Sequence, residues 1–163
     1  MSTALNSNIC FIGGGNMAQA LIGGLISRGL PATRITVSDP VEAVRELLQE
    51  KQIHVTTDNV AAIRDADVVV LAVKPQVLAS VLQPLNGLLA DKLIVSIVAG
   101  AEIETISKFI GSDLIVRVMP NTPALVQTGA HGLYANAVVN EAQRELASRI
   151  LAATGLTVWV NSE

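Results

Sequence analysis

The chain has 163 residues, half of them apolar and only 2% aromatic, and a formal net charge of −3. This length fits a single domain, 1–163, and with so few aromatic residues the core must be filled by Val, Ile, Leu and Ala, as in a parallel sheet that helices cover on both faces. The weakly acidic balance excludes a general attraction to nucleic acid or to an anionic membrane, and no apolar run approaches the roughly 18 residues that cross a bilayer.

The cysteine, the histidines and the N-terminal residues limit the compartment and the chemistry. Cys10 is the one cysteine of the chain, so an internal disulfide is excluded, and residues 1–8 lack the basic patch and apolar stretch of a secretory leader. We therefore expect a cytoplasmic protein. His54 and His131 have no second ligand at metal-binding spacing, so no metal site is expected. Cys10 lies inside a predicted strand and is expected to be a core residue.

Short β-branched runs alternate with helical segments over the first 119 residues, which is typical of βαβ units and a mainly parallel sheet. The predicted strands are Ile9–Ile12, Ile35–Ser38, a weak strand near His54–Thr56, Val68–Val73, Leu93–Ile97 and Ile115–Met119. The predicted helices between them are about Met17–Arg28, Val41–Lys51, Val60–Arg64, Gln76–Leu89 and Ile103–Ile110. Within the first helix, Gly23 and Gly24 weaken the helix intrinsically and are expected to permit close packing on the sheet.

The alternation stops after Met119. A short strand at Leu133–Ala135, a helix at about Glu141–Ala153 and a final strand at Thr157–Val160 follow. We expect the two strands to be additions at one edge of the sheet, where they can run antiparallel to the other strands.

The strongest local motif is Gly13-Gly14-Gly15-Asn16-Met17-Ala18, which follows a predicted strand and opens a predicted helix. It fits G-x-G-x-x-A, in which Gly13 makes the tight turn, Gly15 lets a pyrophosphate approach the backbone, and Ala18 lets the helix lie close to the strand. Free N–H groups at the helix start would then meet the phosphates. The motif predicts a Rossmann-type, doubly wound α/β fold that binds a dinucleotide; a glycine-rich turn without a ligand is the alternative.

Asp39, at the end of the second predicted strand, has two competing interpretations. It follows Ala18 by 21 residues, where an acidic residue often binds the adenosine ribose, and a carboxylate there favours NADH by repelling a 2′-phosphate. It also fits a capping box, with Asp39 as N-cap, Pro40 at the first helical position and Glu42 reaching back. The two roles can coexist, so the choice between NADPH and NADH stays open.

Other loops follow strands that should end at the same edge, where ligands of such sheets collect. Lys74-Pro75 could face the ribose or phosphates, or could be a surface lysine before a proline-started helix. Val98-Ala99-Gly100 offers small residues where a ring must pass the backbone. Asn121 and Thr122, bracketed by prolines, suit the nicotinamide or a small substrate, and a plain rigid turn explains them almost as well.

The sequence resembles the pyrroline-5-carboxylate reductase family in the order and spacing of its motifs, from about Asn8 to Glu163. The matching runs are Cys10–Ala18, Leu71–Pro75, Ser96–Gly100, Arg117–Pro123, Tyr134-Ala135 and Gly155–Val158. The Val-Lys-Pro and Met-Pro-Asn-Thr-Pro blocks are fairly specific to this family, whereas many dehydrogenases share the glycine-rich loop.

The resemblance implies hydride transfer from NADPH or NADH to the C5=N bond of 1-pyrroline-5-carboxylate, which gives L-proline. It implies that Ile12, Gly13, Gly14, Gly15, Asn16 and Met17 hold the pyrophosphate and that Ser38, Asp39 and Asn59 lie near the adenosine ribose. It places Ala72, Val73, Lys74, Pro75, Val98, Ala99 and Gly100 on the nicotinamide side, together with Asn121 and Thr122. Many family members have a small or basic residue where Asp39 stands and use NADPH.

Besides the aspartate at position 39, this chain differs from the family in its length. Family members continue into a helical domain that carries the substrate-binding segment and most of the subunit interface, so the catalytic residues are expected there, and the intact protein is expected to be a homo-oligomer. This chain is then expected to bind coenzyme but to reduce substrate poorly or not at all, because catalysis is chiefly the positioning of two rings. The alternatives are another two-domain reductase of the 6-phosphogluconate-dehydrogenase-like or imine-reductase type, and a non-catalytic coenzyme-sensing module.

Overall fold

The computed structural model describes residues 5–119 and 129–163. Its strands are β1 (Ile9–Ile12), β2 (Ile35–Ser38), β3 (His54–Thr56), β4 (Val68–Leu71), β5 (Leu93–Ser96), β6 (Ile115–Met119), β7 (Gly129–Ala135) and β8 (Gly155–Trp159). Its helices are α1 (Asn16–Ser27), α2 (Glu42–Gln49), α3 (Asn59–Ile63), α4 (Leu78–Leu82), α5 (Ile103–Ile110) and α6 (Glu141–Leu151).

Within the described residues the strands form one sheet in the order β3-β2-β1-β4-β5-β6-β7-β8. The first six strands pair in parallel, β7 is antiparallel to β6, and β8 runs parallel to β7. The doubly wound α/β fold and the extra strands at one edge are therefore confirmed. None of the described helices has the length and apolar character needed to cross a bilayer.

Both faces of the sheet are covered by helices, which explains why its strands are apolar throughout. All four residues of β1 are buried. Ile9 and Phe11 face the core formed with α1, α2 and α6, whereas Cys10 and Ile12 face the core formed with α3, α4 and α5. A parallel strand buried on both sides has no polar face, so its sequence shows a continuous run rather than alternation.

Several predicted boundaries were wrong, most clearly for the helix predicted over residues 76–89. A 3-10 turn at Pro75–Val77 precedes α4, and a second 3-10 turn at Gln83–Leu85 follows it. Pro84 lies in this second turn and has no backbone N–H for an α-helical hydrogen bond. At the sheet's far edge, β7 begins at Gly129 rather than at Leu133, because its first residues pair with β8 before pairing with β6 starts at Gly132.

Candidate dinucleotide-binding site

The predicted site residues that the structure describes lie near the ends of β1, β2, β4 and β5. Along the sheet, the chain runs outward in opposite directions from β1 and β4, so the order of strands reverses between these two neighbours. Loops leaving their carboxyl ends diverge to opposite faces and leave a crevice, which is where ligands bind in sheets of this kind. The glycine-rich loop leaves β1 at that position.

Gly13 makes the turn out of β1 in a conformation that only glycine fits well. Its φ is +102°, and a Cβ atom there would lie 2.5 Å from the backbone oxygen of Ala72. Its N–H donates to the carbonyl oxygen of Ser38 at 2.8 Å, and Ala72 N–H donates to the carbonyl oxygen of Ile12 at 2.9 Å. The turn is therefore fixed between β2 and β4 by main-chain atoms.

Gly15 is the N-cap of α1, and the protein itself does not require a glycine there. Its backbone is extended (φ −72°, ψ −170°), and a Cβ atom would meet none of the described residues within 4 Å. None of the side chains that the structure describes caps this end of α1, and its first turn contains no acidic residue. The N–H groups of Asn16, Met17 and Ala18 thus have no intrahelical acceptor, and Gly15 and Asn16 are exposed, an arrangement that suits an anionic group.

Asp39 bridges the glycine-rich loop and the turn that leads into α2. Its Oδ2 accepts from Gly14 N–H at 2.9 Å and its Oδ1 accepts from Val41 N–H at 2.8 Å. The residue is buried, with 9% of its surface exposed. The guanidinium of Arg45 donates to the backbone oxygen of Asp39 at 2.9 Å, so a cation also lies at this end of the site.

The predicted capping box at Asp39 is wrong. Helix α2 begins at Glu42, its N-cap is Val41, and no side chain caps it. The backbone of Asp39 continues the pairing of β2 with β3, since its N–H donates to the carbonyl oxygen of Thr56 at 3.1 Å. The carboxylate is directed to Gly14 and Val41 instead of to the first turn of the helix.

Ser38 and Asn59 meet next to Asp39. Ser38 Oγ donates to Asn59 Oδ1 at 2.6 Å, and Ser38 is 3% exposed. Asn59 is held there because α3 begins at that residue, with Asp58 as its N-cap accepting from Val60 N–H at 3.0 Å. The structure therefore brings together the three residues that the sequence assigns to the ribose.

The loop after β4 lies beside the glycine-rich loop. Ala72 and Val73 are half-buried, whereas Lys74 and Pro75 are exposed. Lys74 is extended (φ −69°, ψ 145°) and directly precedes the 3-10 turn. Among the described residues its ammonium group has no hydrogen bond or ion pair, so the side chain is available to a ligand.

The loop after β5 is fixed at its strand end and open in its middle. Ile97 N–H donates to the carbonyl oxygen of Leu71 at 3.0 Å, and Val98 N–H donates to Ser96 Oγ at 3.3 Å. Val98 is buried, while Ala99 and Gly100 are exposed. Gly100 has a φ of +71° but open space where a Cβ would stand, so glycine is favoured there by backbone conformation alone.

The remaining predicted residues divide into those outside the described chain and those in the core. Asn121 and Thr122 lie outside the described residues. Cys10 is buried, and burial raises the pKa of its thiol to about 12, which leaves it protonated and poorly nucleophilic at neutral pH. Over residues 5–119 and 129–163, no group of three or more potential metal ligands occurs.

Three polar residues near the site were not found from the sequence. Arg45 contacts Asp39, and Arg117 pairs with Glu163 with Nη1 and Oε2 3.0 Å apart. Arg45 has a weak local signal, since it lies one turn into a helix that follows the predicted ribose residue. Arg117 and Glu163 are 46 positions apart and show none.

The sequence of this chain is similar to those of NADP-dependent oxidoreductases and pyrroline-5-carboxylate reductases. The sequence model of the family described as NADP oxidoreductase, coenzyme F420-dependent, matches residues 8–100. Pyrroline-5-carboxylate reductases of Haemophilus influenzae and Pseudomonas aeruginosa are each 48% identical over 95% of this chain. The chain spans 58% of the length of each of these relatives.

Solved structures agree. A pyrroline-5-carboxylate reductase from Coxiella burnetii superposes with a TM-score of 0.92 at 42% identity, over 96% of this chain and 60% of that one. A Plasmodium falciparum pyrroline carboxylate reductase solved with NADP bound superposes with a TM-score of 0.85 at 28% identity, over 96% of this chain and 58% of that one. A Streptomyces aurantiacus imine reductase, at 15% identity and a TM-score of 0.73, shares the fold.

Proposed function

Because the chain belongs to the family described as NADP oxidoreductase, coenzyme F420-dependent, we propose that it is the coenzyme-binding part of a reductase that uses NADPH or NADH. The whole protein would reduce 1-pyrroline-5-carboxylate to L-proline, as the names of the relatives at 48% identity indicate. Residues 1–163 would form a single dinucleotide-binding domain.

The observation that carries this proposal is the open helix start at Gly15. A turn that served only the fold would have no reason to exclude a side chain from a position where a Cβ meets nothing within 4 Å. The N–H groups behind it have no intrahelical acceptor, and the helix dipole adds a partial positive charge. A pyrophosphate supplies both the volume and the negative charge that this position accepts.

The chain's own residues can be given roles from their positions. The backbone of Gly13, Gly14, Gly15, Asn16 and Met17, with Ile12 at the end of β1, would hold the pyrophosphate. Ser38, Asp39 and Asn59 would bind the adenosine ribose, and Ala72, Val73, Lys74, Pro75, Val98, Ala99 and Gly100 would line the nicotinamide side. The family resemblance adds Asn121 and Thr122, which lie outside the described residues. The bound coenzyme supplies the hydride; these residues bind it, orient its ring and exclude water.

Two opposing charges bear on the choice of coenzyme. The Asp39 carboxylate repels a 2′-phosphate, whereas the Arg45 guanidinium, bonded to the Asp39 backbone 2.9 Å away, attracts one. Side-by-side titration of NADPH and NADH measures which of the two prevails.

Substrate binding and protonation would be carried out by the region of the relatives that this chain does not span. We place the substrate site, the groups that protonate the imine nitrogen and the subunit contacts of a homo-oligomer there. The 163-residue chain would therefore bind coenzyme without producing proline at an appreciable rate. The intact enzyme would work in the cytoplasm on a small-molecule substrate, without nucleic acid or membrane partners.

The test is a calorimetric titration of the chain and its Gly15→Ala variant with NADPH and NADH. Since nothing lies within 4 Å of the added Cβ, the variant should fold normally, while its methyl group obstructs the pyrophosphate and weakens binding about tenfold or more, equivalent to about 1.4 kcal/mol. Gly23→Ala is the matched control, because its Cβ also meets open space but lies in the interior of α1. Equal affinities for the two variants, or no binding by the parent chain, would overturn the proposal.

A further inference from the structure

Glu163 fastens the beginning of α5 to β6. Its carboxylate accepts from Ile103 N–H, at 3.0 Å to Oε2 and 3.3 Å to Oε1, and Arg117 Nη1 lies 3.0 Å from Oε2. The Arg117 and Glu163 side chains are only 13% and 23% exposed. We propose that Glu163 and Arg117 are positioning residues for the nicotinamide side of the coenzyme site. This inference rests on the function proposed above.

The loop that they would position is 97–102, between β5 and α5. Its strand end is held by the backbone of β4 and by Ser96, and its exposed middle residues are Ala99 and Gly100. At the helix end, Ala101 and Ile103 pack into the core, but the N-cap residue Glu102 makes no side-chain capping bond among the described residues. Glu163 supplies an acceptor for the N–H of Ile103, the first residue of α5, which has no intrahelical partner.

The position of Arg117 shows that its ion pair with Glu163 lies level with the end of β5, where the candidate site begins. Arg117 is the register partner of Ser96, the last residue of β5, so the ion pair lies level with the strand end from which the loop departs. Its Nε is buried and has no hydrogen-bond partner among the described residues, so the guanidinium depends on Glu163 for its neutralisation. Glu163 is 60 positions from Ile103 and 46 from Arg117. The first N–H of α5 is therefore bound by a distant residue rather than by one of the loop's own.

Removing the carboxylate has a predictable consequence. Ile103 N–H and the Arg117 cation would both lose their acceptor, and the helix end of the loop would be held by the packing of Ala101 and Ile103 without that bond. Ala99 and Gly100 would no longer be held in one position against a nicotinamide ring, so ordering them would cost binding free energy. The pyrophosphate and ribose residues, on the loops after β1 and β2, would be unaffected.

The experiment separates the two halves of the coenzyme. The chain and its Glu163→Ala and Glu163→Gln variants are titrated with whichever dinucleotide binds more tightly and with its adenosine fragment, 2′,5′-ADP or ADP-ribose. Glu104→Gln is the matched control: Glu104 is on the same helix, but its ion pair with Lys108 is exposed, with a side-chain accessibility of 76% for Glu104. Thermal unfolding verifies that each variant is folded, and amide hydrogen exchange follows Ile103.

For Glu163→Ala we expect about tenfold weaker dinucleotide binding, adenosine-fragment binding within about twofold of the parent, and loss of protection at the Ile103 amide. Glu163→Gln should lie between, because its amide oxygen still accepts from Ile103 but no longer neutralises Arg117. Glu104→Gln should match the parent. Equal losses for dinucleotide and fragment, or no loss for either, would overturn the inference while leaving the proposed function intact. A parent chain that binds no dinucleotide would overturn the proposed function and this inference together.

Discussion

Asp39→Asn is the substitution that most directly tests how the glycine-rich loop is held. The aspartate presents one oxygen to Gly14 N–H at 2.9 Å and the other to Val41 N–H at 2.8 Å. An asparagine has a single carbonyl oxygen, so one of these N–H groups would face the amide NH₂ instead of an acceptor. The substitution preserves shape and removes one hydrogen-bond acceptor and one charge.

The expected cost follows from those two contacts. A hydrogen bond to a charged acceptor contributes about 1.5–3 kcal/mol, and a buried N–H left unpaired costs a further part of its desolvation. Since Asp39 is 9% exposed, water can replace the lost acceptor only poorly. We expect Asp39→Asn to reduce the free energy of unfolding by about 2–3 kcal/mol, which with an m-value of about 2 kcal/mol/M lowers the urea midpoint by about 1–1.5 M.

Asp58→Asn is the matched control in the same urea titration. Asp58 also accepts two backbone N–H groups, from Val60 and Ala61, but both bind the same atom, Oδ1. Asparagine retains that oxygen and is as good an N-cap as aspartate, so the control should change stability by less than about 0.5 kcal/mol. If Asp39→Asn proves as stable as Asp58→Asn without coenzyme, the carboxylate does not brace the loop and the reasoning is refuted.

Two further substitutions test the packing behind the site. Gly24→Ala would place a Cβ 2.3 Å from the backbone oxygen of Ala153 and should lower the free energy of unfolding by about 1–3 kcal/mol. Gly23→Ala meets none of the described residues and should raise it by about 0.5–1 kcal/mol. Equal urea midpoints for the two variants would contradict this. Burial lowers the pKa of His131 below its ordinary 6.5, so the unfolded chain takes up the proton more readily. Stability should be full above about pH 6.5 and fall as the pH drops below it. Urea midpoints from pH 8 to 5 should show this slope, and a His131→Gln variant with an equally steep slope would disprove the assignment.

The sequence predicted those parts of the site whose causes are local. The glycine-rich loop was recognisable because Gly13 and Gly15 stand at fixed distances from a buried strand and a helix start. The mainly parallel sheet followed from the alternating βαβ units. The juxtaposition of Ser38, Asp39 and Asn59 came from the family resemblance, and the structure brings these residues together.

What the sequence did not predict depends on partners distant along the chain. Asp39 was interpreted as a possible N-cap because Glu42 stands at the capping-box spacing, yet its carboxylate binds Gly14, 25 positions away. Gly24 was expected to pack on the sheet, whereas its close neighbour is Ala153, in the turn before β8. A local pattern cannot distinguish such alternatives, because the competing acceptor or surface belongs to another element.

The order of strands also bears on how the chain acquires its structure during synthesis. β1 is made first but lies inside the sheet, between β2 and β4. Until Val68–Leu71 emerge, one side of this apolar strand is an open edge, able to pair with other nascent chains. The glycine-rich loop depends on the same event, because the carbonyl groups that surround Gly13 belong to Ser38 and Ala72. β1 and the glycine-rich loop thus fold late, after the fourth strand has left the ribosome.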